Sequence, residues 1–408
     1  MKSGRKYIIL LGDGMADYPI PELGNRTPLE AANTPNMDAV CARGILGLAK
    51  TVPDGMAPGS DTANLSVFGY DPRESYSGRA PLEALSMGID LGPADIALRC
   101  NIVNAAGGVM NSFTAGHIQS EFSKVIIDEM NRNISIPGVE FHAGVSYRNI
   151  MIWRDYPYRE ISRTTPPHDI QDRNTGPHLP QGEGSGDLVG VMERSREIIS
   201  GSAAVREAAK KFRGNPESVW LWGGGTRPRM ATLKQRFGIS GHTISAVDLI
   251  HGIGKAAGLE PITVPGATGY IDTNYEGKAD SLLAALETSD FVYLHVESPD
   301  ESGHEGSLEH KMKAIEDFDS RVVGRVVRGL DKFEDYALLV MPDHPTPISL
   351  RTHSSEPVPF CMLRTRGWED DSLKGRSGRS YSEKDGRATG LYVPEGHRLL
   401  ELMINGKL

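Results

Sequence analysis

The sequence predicts an α/β protein in which a mostly parallel sheet forms a core that is interrupted by an inserted α+β domain. Short apolar runs closed by Gly or Pro occur near both ends of the chain, as is typical of buried parallel strands. Three of these runs lead directly into acidic and histidine residues: YIILL before Gly12-Asp13-Gly14, FVYLHV before residues 297–304, and ALLVM before Pro342-Asp343-His344. The first lies far from the other two, so the core domain takes segments from both ends of the chain.

The N-terminal segment alternates strand and helix patterns. Residues 7–11 predict the first strand, and a loop rich in Pro and Gly follows it. Helical periodicity predicts a helix over about residues 35–43. The breaker-rich turn at residues 55–61 then leads into a short apolar-periodic segment, residues 62–68, which stops at a glycine.

The C-terminal segment again alternates strand and helix patterns. Residues 241–258 predict a strand edge and a helix, residues 261–264 a strand, and residues 278–287 a helix. A long charged helix is expected over about residues 308–330, between the second and third of the acidic strand ends.

The intervening segment has a different pattern. Residues 97–103 and 147–154 predict strands, residues 164–186 form a loop rich in Pro, Gly and Asp, and residues 187–211 predict a helix. We therefore expect a core domain and an inserted domain with these boundaries: 1–78 and 237–408 for the core, and 79–236 for the insert.

Composition narrows the class of protein. At 408 residues with 39% hydrophobic content the chain is long enough for two or three domains. A net charge of −9 without long like-charge blocks argues against a large nucleic-acid surface. Cys41, Cys100 and Cys361 are odd in number and lack CxxC spacing, which argues against a disulfide framework and a thiolate metal site. No apolar run approaches the length of a signal peptide or a membrane span, so we expect a soluble, cytoplasmic protein.

The three strand ends predict a metal centre. Ligands bind outside the carboxyl ends of strands in open α/β sheets, so three aspartates and three histidines should converge there. They are Asp13, Asp300, Asp343, His304, His344 and His353. Carboxylate and imidazole ligands in this number suit two divalent metals.

Each of these residues also has an ordinary structural interpretation. An Asp after a strand is commonly a turn former or a helix cap, and either His304 or His353 could be a solvated surface residue. Asp343 and His344 fit this interpretation less well, because core packing requires neither side chain at a strand exit.

Ser60 is the candidate nucleophile. It follows Pro58-Gly59 at a predicted helix start, where backbone N–H groups and the helix dipole favour a bound phosphate. A metal beside its hydroxyl would lower the pKa of that hydroxyl. The alternative is that Ser60 is a plain helix N-cap.

Short motifs spread over nearly the whole chain, in the same order, resemble one family. The matching segments are Gly12-Asp13-Gly14, residues 32–38, 58–61, 69–72, 76–83, 165–169, 222–225, 265–269 and 295–306. Together they resemble the archaeal-type 2,3-bisphosphoglycerate-independent phosphoglycerate mutases of the alkaline phosphatase superfamily. The chain carries no substitution at a position matching a metal ligand or the nucleophile of that family.

The resemblance implies a site and a reaction. Asp13, Ser60, Asp343 and His344 would hold one metal, and Asp300, His304 and His353 the other. Ser60 would become phosphorylated while 3-phosphoglycerate and 2-phosphoglycerate interconvert. The insert would grip the glycerate and close over it to exclude water. The candidate substrate-binding residues are His117, Arg148, His168, Asp169 and Arg229, since Arg and His donors suit phosphate and carboxylate.

Three other functions fit some of these features: a phosphatase or phosphodiesterase of the same fold, a phosphotransferase resembling homoserine kinases, and a metal-stabilised binding module. Residues 223–225 lack the Lys-Ser/Thr sequel of a nucleotide loop, so no nucleotide is expected, and the resemblance implies no bisphosphoglycerate cofactor. Manganese is the metal most expected, although zinc, cobalt or magnesium suits the same ligands. The sequence does not fix the oligomeric state.

Overall fold

A computed structural model describes residues 4–373, 377 and 380–407. The chain divides into two compact units, residues 1–76 with 229–408, and residues 77–228. We refer to them as the core unit and the inserted unit.

The strands and helices follow one another along the chain. The strands are β1 (Lys6–Gly12), β2 (Ile45–Ala49), β3 (Ile96–Val103), β4 (Val139–His142), β5 (Arg148–Trp153), β6 (Ser218–Thr226), β7 (Gly241–Ile244), β8 (Glu260–Ile262), β9 (Phe291–Val296), β10 (Tyr336–Met341), β11 (Val358–Arg364) and β12 (Tyr392–Val393). The α-helices are α1 (Pro28–Ala31), α2 (Pro35–Arg43), α3 (Ser60–Val67), α4 (Pro72–Ser75), α5 (Arg79–Ser86), α6 (Ser120–Asn133), α7 (Ser185–Gly201), α8 (Ala203–Ala209), α9 (Leu233–Phe237), α10 (Asp248–Ala256), α11 (Tyr275–Ala285), α12 (Ser298–Glu305), α13 (Leu308–Asp317), α14 (Gly324–Gly329), α15 (Glu383–Ala388) and α16 (Arg398–Asn405).

The core unit is built on a mostly parallel sheet with the order β12-β2-β11-β10-β1-β9-β7-β8. β1 is parallel to both β10 and β9, whereas β11 is antiparallel to β10 and β2. Side chains along β1, β9 and β10 are buried on both faces, which explains their continuous apolar sequences. The expected α/β class with a mostly parallel sheet is confirmed.

The inserted unit is built on an antiparallel sheet with the order β4-β5-β3-β6. Its own hydrophobic core includes Phe122 and Ile126 of α6, Trp153 of β5 and Leu188 of α7. Where β3 pairs with β6, the register shifts between Ala97 and Arg99. The extra residue lies in the glycines of β6, and Gly223 has a φ of 63°, which glycine adopts without strain.

Two long helices expected from the sequence are interrupted. The pattern over residues 187–211 forms α7 and α8, which separate at Ser202, whose hydroxyl caps α8 by accepting the N–H groups of Ala204 and Val205. The pattern over residues 308–330 continues from α13 through a π-helix at Phe318–Val323 into α14. Within that π-helix the buried Asp319 accepts the backbone N–H groups of Asn36 and Met37 at the start of α2.

The boundary between the units lies at residue 228, whereas residue 236 was expected from the sequence. Hydrogen bonds explain the difference: the Tyr70 hydroxyl donates to the Ala231 carbonyl at 2.6 Å, and Arg236 donates to the Gly69 carbonyl at 2.6 Å. The segment around α9 is therefore part of the core unit. Among the described residues, no helix is both long enough and apolar enough to cross a bilayer.

Candidate active site

The three acidic strand ends lie side by side because β10, β1 and β9 are neighbours in the core sheet. Asp13 follows β1 directly, and Asp343 and His344 follow β10 after one proline. Asp300 lies in the first turn of α12, which begins two residues after β9 ends. The topology therefore gathers carboxylates from distant parts of the chain at one edge of the sheet.

One group of potential ligands consists of Asp300, His304 and His353. His304 Nε2 lies 3.2 Å from Asp300 Oδ2, because the two residues are one helical turn apart. His353 Nε2 lies 3.6 Å from Asp300 Oδ1 and 3.0 Å from His304 Nε2. Their ligand atoms lie within 4.8 Å of one another, so one cation could contact all three.

A second group consists of Asp13, Asp300 and His344, with ligand atoms again within 4.8 Å of one another. His344 Nε2 lies 3.6 Å from Asp13 Oδ1 and 3.3 Å from Asp343 Oδ2. Asp343 Oδ2 also accepts the Asn64 amide at 2.8 Å. Asp300 thus belongs to both groups, whereas the sequence resemblance assigns it to one metal alone.

Gly14 permits this close approach. Its φ is 62°, and a Cβ there would lie 2.8 Å from Asp300 Oδ1 and 2.5 Å from Thr346 Oγ1. A larger residue would therefore be strained in its backbone and would push Asp300 away. This explains why the residue after Asp13 is a glycine.

The electrostatics of the cluster favour bound cations. Burial, followed by repulsion from Asp343 and Glu297, raises the pKa of Asp13 well above its usual value. Burial and the nearby charge of Asp300 raise the pKa of Glu297 to about 8. Asp13 Oδ1 is buried and has no hydrogen-bond partner among the described residues. Carboxylates placed so close together are stabilised by a cation, and the Asp/His donor set fits divalent metals.

The histidines of the first group differ in basicity. Burial alone would lower the pKa of His304, but its hydrogen bond and ion pair with Asp300 raise that pKa to about 9. Burial and the neighbouring His344 lower the pKa of His353 to about 4. His353 is therefore the more readily available as a neutral imidazole ligand.

Ser60 faces this cluster. It is the first helical residue of α3, whose N-cap is Gly59, and the Ser60 Oγ lies 3.3 Å from His344 Nε2. The N-cap position of α3 is occupied by Gly59, so the simple N-cap role considered for Ser60 is not what the geometry displays. Asn64 holds the turn in place, because its amide donates to both the Ser60 carbonyl and Asp343 Oδ2.

The candidate substrate-binding residues are dispersed. Arg148 is exposed at the start of β5, and the exposed His168 lies beside Asp169, with 3.5 Å between Nε2 and Oδ1. His117 is exposed and has a φ of 55°, the last of three successive residues with positive φ. Arg229 is exposed too and belongs to the core unit rather than the insert.

A cationic cluster in the inserted unit was not expected from the sequence. Arg99 of β3 is 4% exposed, its Nε lies 2.9 Å from Glu83 Oε2, and its guanidinium lies 4.5 Å from the Trp222 ring centre. Burial would raise the pKa of Glu83, but the charges of Arg99, Arg79 and Arg148 lower it. Three arginines thus surround one carboxylate, and the ring of His168 lies 5.4 Å from that of Trp222. The sequence feature that could have indicated this cluster is Arg99 itself, a charged residue in the mostly apolar strand β3.

His295 and Thr346 are two further residues missed in the core unit. His295 of β9 is fully buried, and its Nε2 lies 2.8 Å from Asp13 Oδ2. The Thr346 hydroxyl donates to Asp300 Oδ1. Neither residue stood out, since one lies within an apolar run and the other follows a proline.

Comparisons with known proteins identify relatives over the whole chain. A family model described as 2,3-bisphosphoglycerate-independent phosphoglycerate mutase matches residues 41–204. A probable enzyme of that name from Geobacter sulfurreducens is 50% identical over 405 residues, covering 98% of this chain and 100% of the relative. One from Methanosarcina acetivorans is 48% identical over 370 residues, covering 90% and 93%.

Solved structures share the fold. The structure of a protein from Pyrococcus horikoshii has a TM-score of 0.80 at 28% identity, covering 98% of this chain and 96% of that one. The cofactor-independent phosphoglycerate mutase from Thermoplasma acidophilum has a TM-score of 0.65 at 23% identity, covering 98% and 99%.

Proposed function

This chain belongs to the family of 2,3-bisphosphoglycerate-independent phosphoglycerate mutases, and we propose that it interconverts 3-phosphoglycerate and 2-phosphoglycerate through a phosphoserine at Ser60. The observation that carries the proposal is the position of the Ser60 hydroxyl, 3.3 Å from His344 in a cluster of buried carboxylates and of imidazoles. Relatives up to 50% identical bear the mutase name, so a phosphatase or a homoserine kinase-like transferase is not favoured.

In the proposed reaction the Ser60 oxygen attacks the phosphorus of 3-phosphoglycerate in line. The bond from phosphorus to the substrate's 3-oxygen breaks as the bond to Ser60 forms, and one proton passes from Ser60 to the glycerate. The glycerate then turns, its 2-hydroxyl attacks the phosphoserine, and the proton returns to Ser60. No bisphosphoglycerate and no nucleotide is consumed.

Two groups of residues would hold the cations. Asp13, Ser60, Asp343 and His344 would hold one, and Asp300, His304 and His353 the other, with Asp300 near enough to contact both. When bound, divalent cations supply positive charge that lowers the pKa of the Ser60 hydroxyl and offsets the charge of the phosphoryl oxygens. We expect manganese in this role and a cytoplasmic location for the reaction.

The inserted unit would bind the glycerate. Arg148 and the arginines around Glu83 carry net positive charge suited to a carboxylate. His117, His168, Asp169 and Arg229 stay candidates for the remaining polar contacts. Retention of glycerate is what distinguishes isomerisation from hydrolysis, because water would otherwise attack the phosphoserine.

The test is Ser60→Ala, assayed with 3-phosphoglycerate and manganese, without bisphosphoglycerate, by coupling 2-phosphoglycerate formation to its dehydration. We expect turnover to fall by several orders of magnitude, since the hydroxyl is a reactant. Mass spectrometry of the quenched wild-type enzyme should detect phosphate on Ser60. The matched control is Ser202→Ala, which removes a helix cap worth about 1 kcal/mol and should retain activity. Retention of more than about a hundredth of wild-type turnover by Ser60→Ala would remove Ser60 as the phosphoryl acceptor.

A further inference from the structure

His295 is a buried imidazole directly beside Asp13. It lies in β9, where it is fully buried, and its Nε2 is 2.8 Å from Asp13 Oδ2. It is not among the residues to which we assigned a metal. A buried imidazole needs partners for both ring nitrogens, so the contacts of His295 define what it can do.

The hydrogen bonds around His295 fix its tautomer. Its Nδ1 lies 3.1 Å from Ser245 Oγ, and that oxygen already accepts the Val247 N–H at 2.9 Å. The hydroxyl hydrogen of Ser245 is therefore available to point at Nδ1, which then accepts. With Nδ1 accepting, the ring proton lies on Nε2, which faces the carboxylate oxygen Oδ2 of Asp13 at 2.8 Å.

This hydrogen bond gives the two carboxylate oxygens of Asp13 different surroundings. The Nε2–H of His295 donates to Asp13 Oδ2, whereas the other carboxylate oxygen, Oδ1, lies 3.6 Å from His344 Nε2 and has no hydrogen-bond partner among the described residues. One oxygen is thereby anchored, and the other is presented to the cluster that contains His344. Hydrogen bonds of this kind orient metal ligands and strengthen their binding.

We infer that His295 is a positioning residue that anchors Asp13 so that Oδ1 is left available to the cation that Asp13 and Ser60 would hold. This inference rests on the proposed binuclear site. His295 acts through Asp13 and touches neither the substrate nor the reacting atoms. Ser245 contributes to this positioning, because its bond to Nδ1 selects the His295 tautomer whose Nε2–H donates to Asp13.

The competing account is that His295 is itself a ligand. Glu297 Oε2 lies 3.3 Å from His295 Nε2, and Asp13, His295 and Glu297 offer ligand atoms within 4.8 Å of one another. A third cation there would need a lone pair on Nε2, the atom that donates a hydrogen in our account. The two accounts therefore predict different metal stoichiometries.

The experiment measures manganese binding by titration calorimetry, without substrate, on the full chain. His295→Leu should weaken one of two bound manganese ions by about 10- to 100-fold, as loss of an orienting hydrogen bond does. His295→Gln, whose amide can donate near the position of Nε2, should recover most of that affinity. In the mutase assay with limiting manganese, kcat should fall for His295→Leu while KM for 3-phosphoglycerate changes little.

His242→Gln is the matched control. His242 is another partly buried histidine of the core unit, and it lies in β7, where it is paired with Glu260 of β8 and Val292 of β9. This variant should bind manganese like the wild type. If His295→Leu fails to fold, Ser245→Ala keeps the imidazole and should weaken the same ion by a few fold.

Two results would overturn the inference. The first is that His295→Leu binds both manganese ions with wild-type affinity. If only Ser245→Ala folds, wild-type affinity at both sites in that variant has the same meaning. The other is a wild type that binds three ions and a variant that binds two, which would make His295 a ligand. A wild type that binds two ions and lacks mutase activity would instead reject the proposed function and leave the inference standing.

Discussion

The ion pair between Lys311 and Asp17 provides a quantitative test of how the site is supported. Lys311 of α13 is fully buried, and its Nζ donates to Asp17 Oδ2 at 2.7 Å and to the Thr346 carbonyl at 2.7 Å. The Asp17 side chain is only 1% exposed. Replacing Lys311 with Met keeps most of the side-chain length but leaves a buried carboxylate without its cation, which costs about 3–5 kcal/mol.

Lys313 on the same helix is the control. Its Nζ also lies 2.7 Å from a carboxylate, that of Asp317, but the lysine side chain is 55% exposed. The two pairs have the same distance, so a difference between Lys311→Met and Lys313→Met reports burial together with the second hydrogen bond from Lys311 to the Thr346 carbonyl. An exposed pair four residues apart in a helix contributes about 0.3–0.5 kcal/mol.

The assay is native-state hydrogen exchange of the amides of β10, which lies in the same core unit, so that unfolding of the insert does not enter the measurement. We expect the opening free energy of the most protected amides to fall by about 3–5 kcal/mol in Lys311→Met and by less than about 1 kcal/mol in Lys313→Met. Adding Asp17→Asn to Lys311→Met should recover part of the loss. A loss below about 1 kcal/mol in Lys311→Met, equal to that of the control, would refute the reasoning.

The remaining predictions concern the metals and the substrate. His304→Ala and His353→Ala should each lower the metal content from two towards one per chain with loss of activity; two ions retained in His353→Ala would exclude that residue as a ligand. Arg148→Gln should raise KM and increase the free phosphate released per 2-phosphoglycerate formed, while the exposed Arg132→Gln should change neither. An unchanged ratio with both rates lowered equally would make Arg148 structural.

The clustering of these carboxylates and imidazoles could be predicted because its sequence signal is local. Each of Asp13, Asp300 and Asp343 follows an apolar strand by a few residues. Because those strands are neighbours in the sheet, the three carboxylates meet at one edge. His295 and Arg99 lack this position at a strand end, since each lies inside its strand. Their roles depend on what faces them across the fold, Asp13 in one case and Glu83 in the other.

The helix breaks were hidden for a related reason. The pattern over residues 308–330 has helical periodicity throughout, and a π-helix changes that periodicity by only one residue. The contact made there lies far away in sequence: Asp319 accepts the N–H group of Asn36 at the start of α2, 283 residues earlier. Local pattern cannot report a contact of that separation.

The core unit and the inserted unit carry opposite charge chemistry. Buried carboxylates in the core unit would repel a phosphoryl group, so the proposed reaction needs cations there, which would offset the charge of the transferring phosphoryl. In the insert, Glu83 offsets one of the charges of Arg79, Arg99 and Arg148, which leaves net positive charge for a carboxylate. In the proposed reaction, recognition of the glycerate carboxylate by these arginines would need no metal, so glycerate would be retained while its phosphoryl group is on Ser60. A phosphatase does not need to bind the glycerate carboxylate without a metal, whereas we expect mutase activity to depend on that binding.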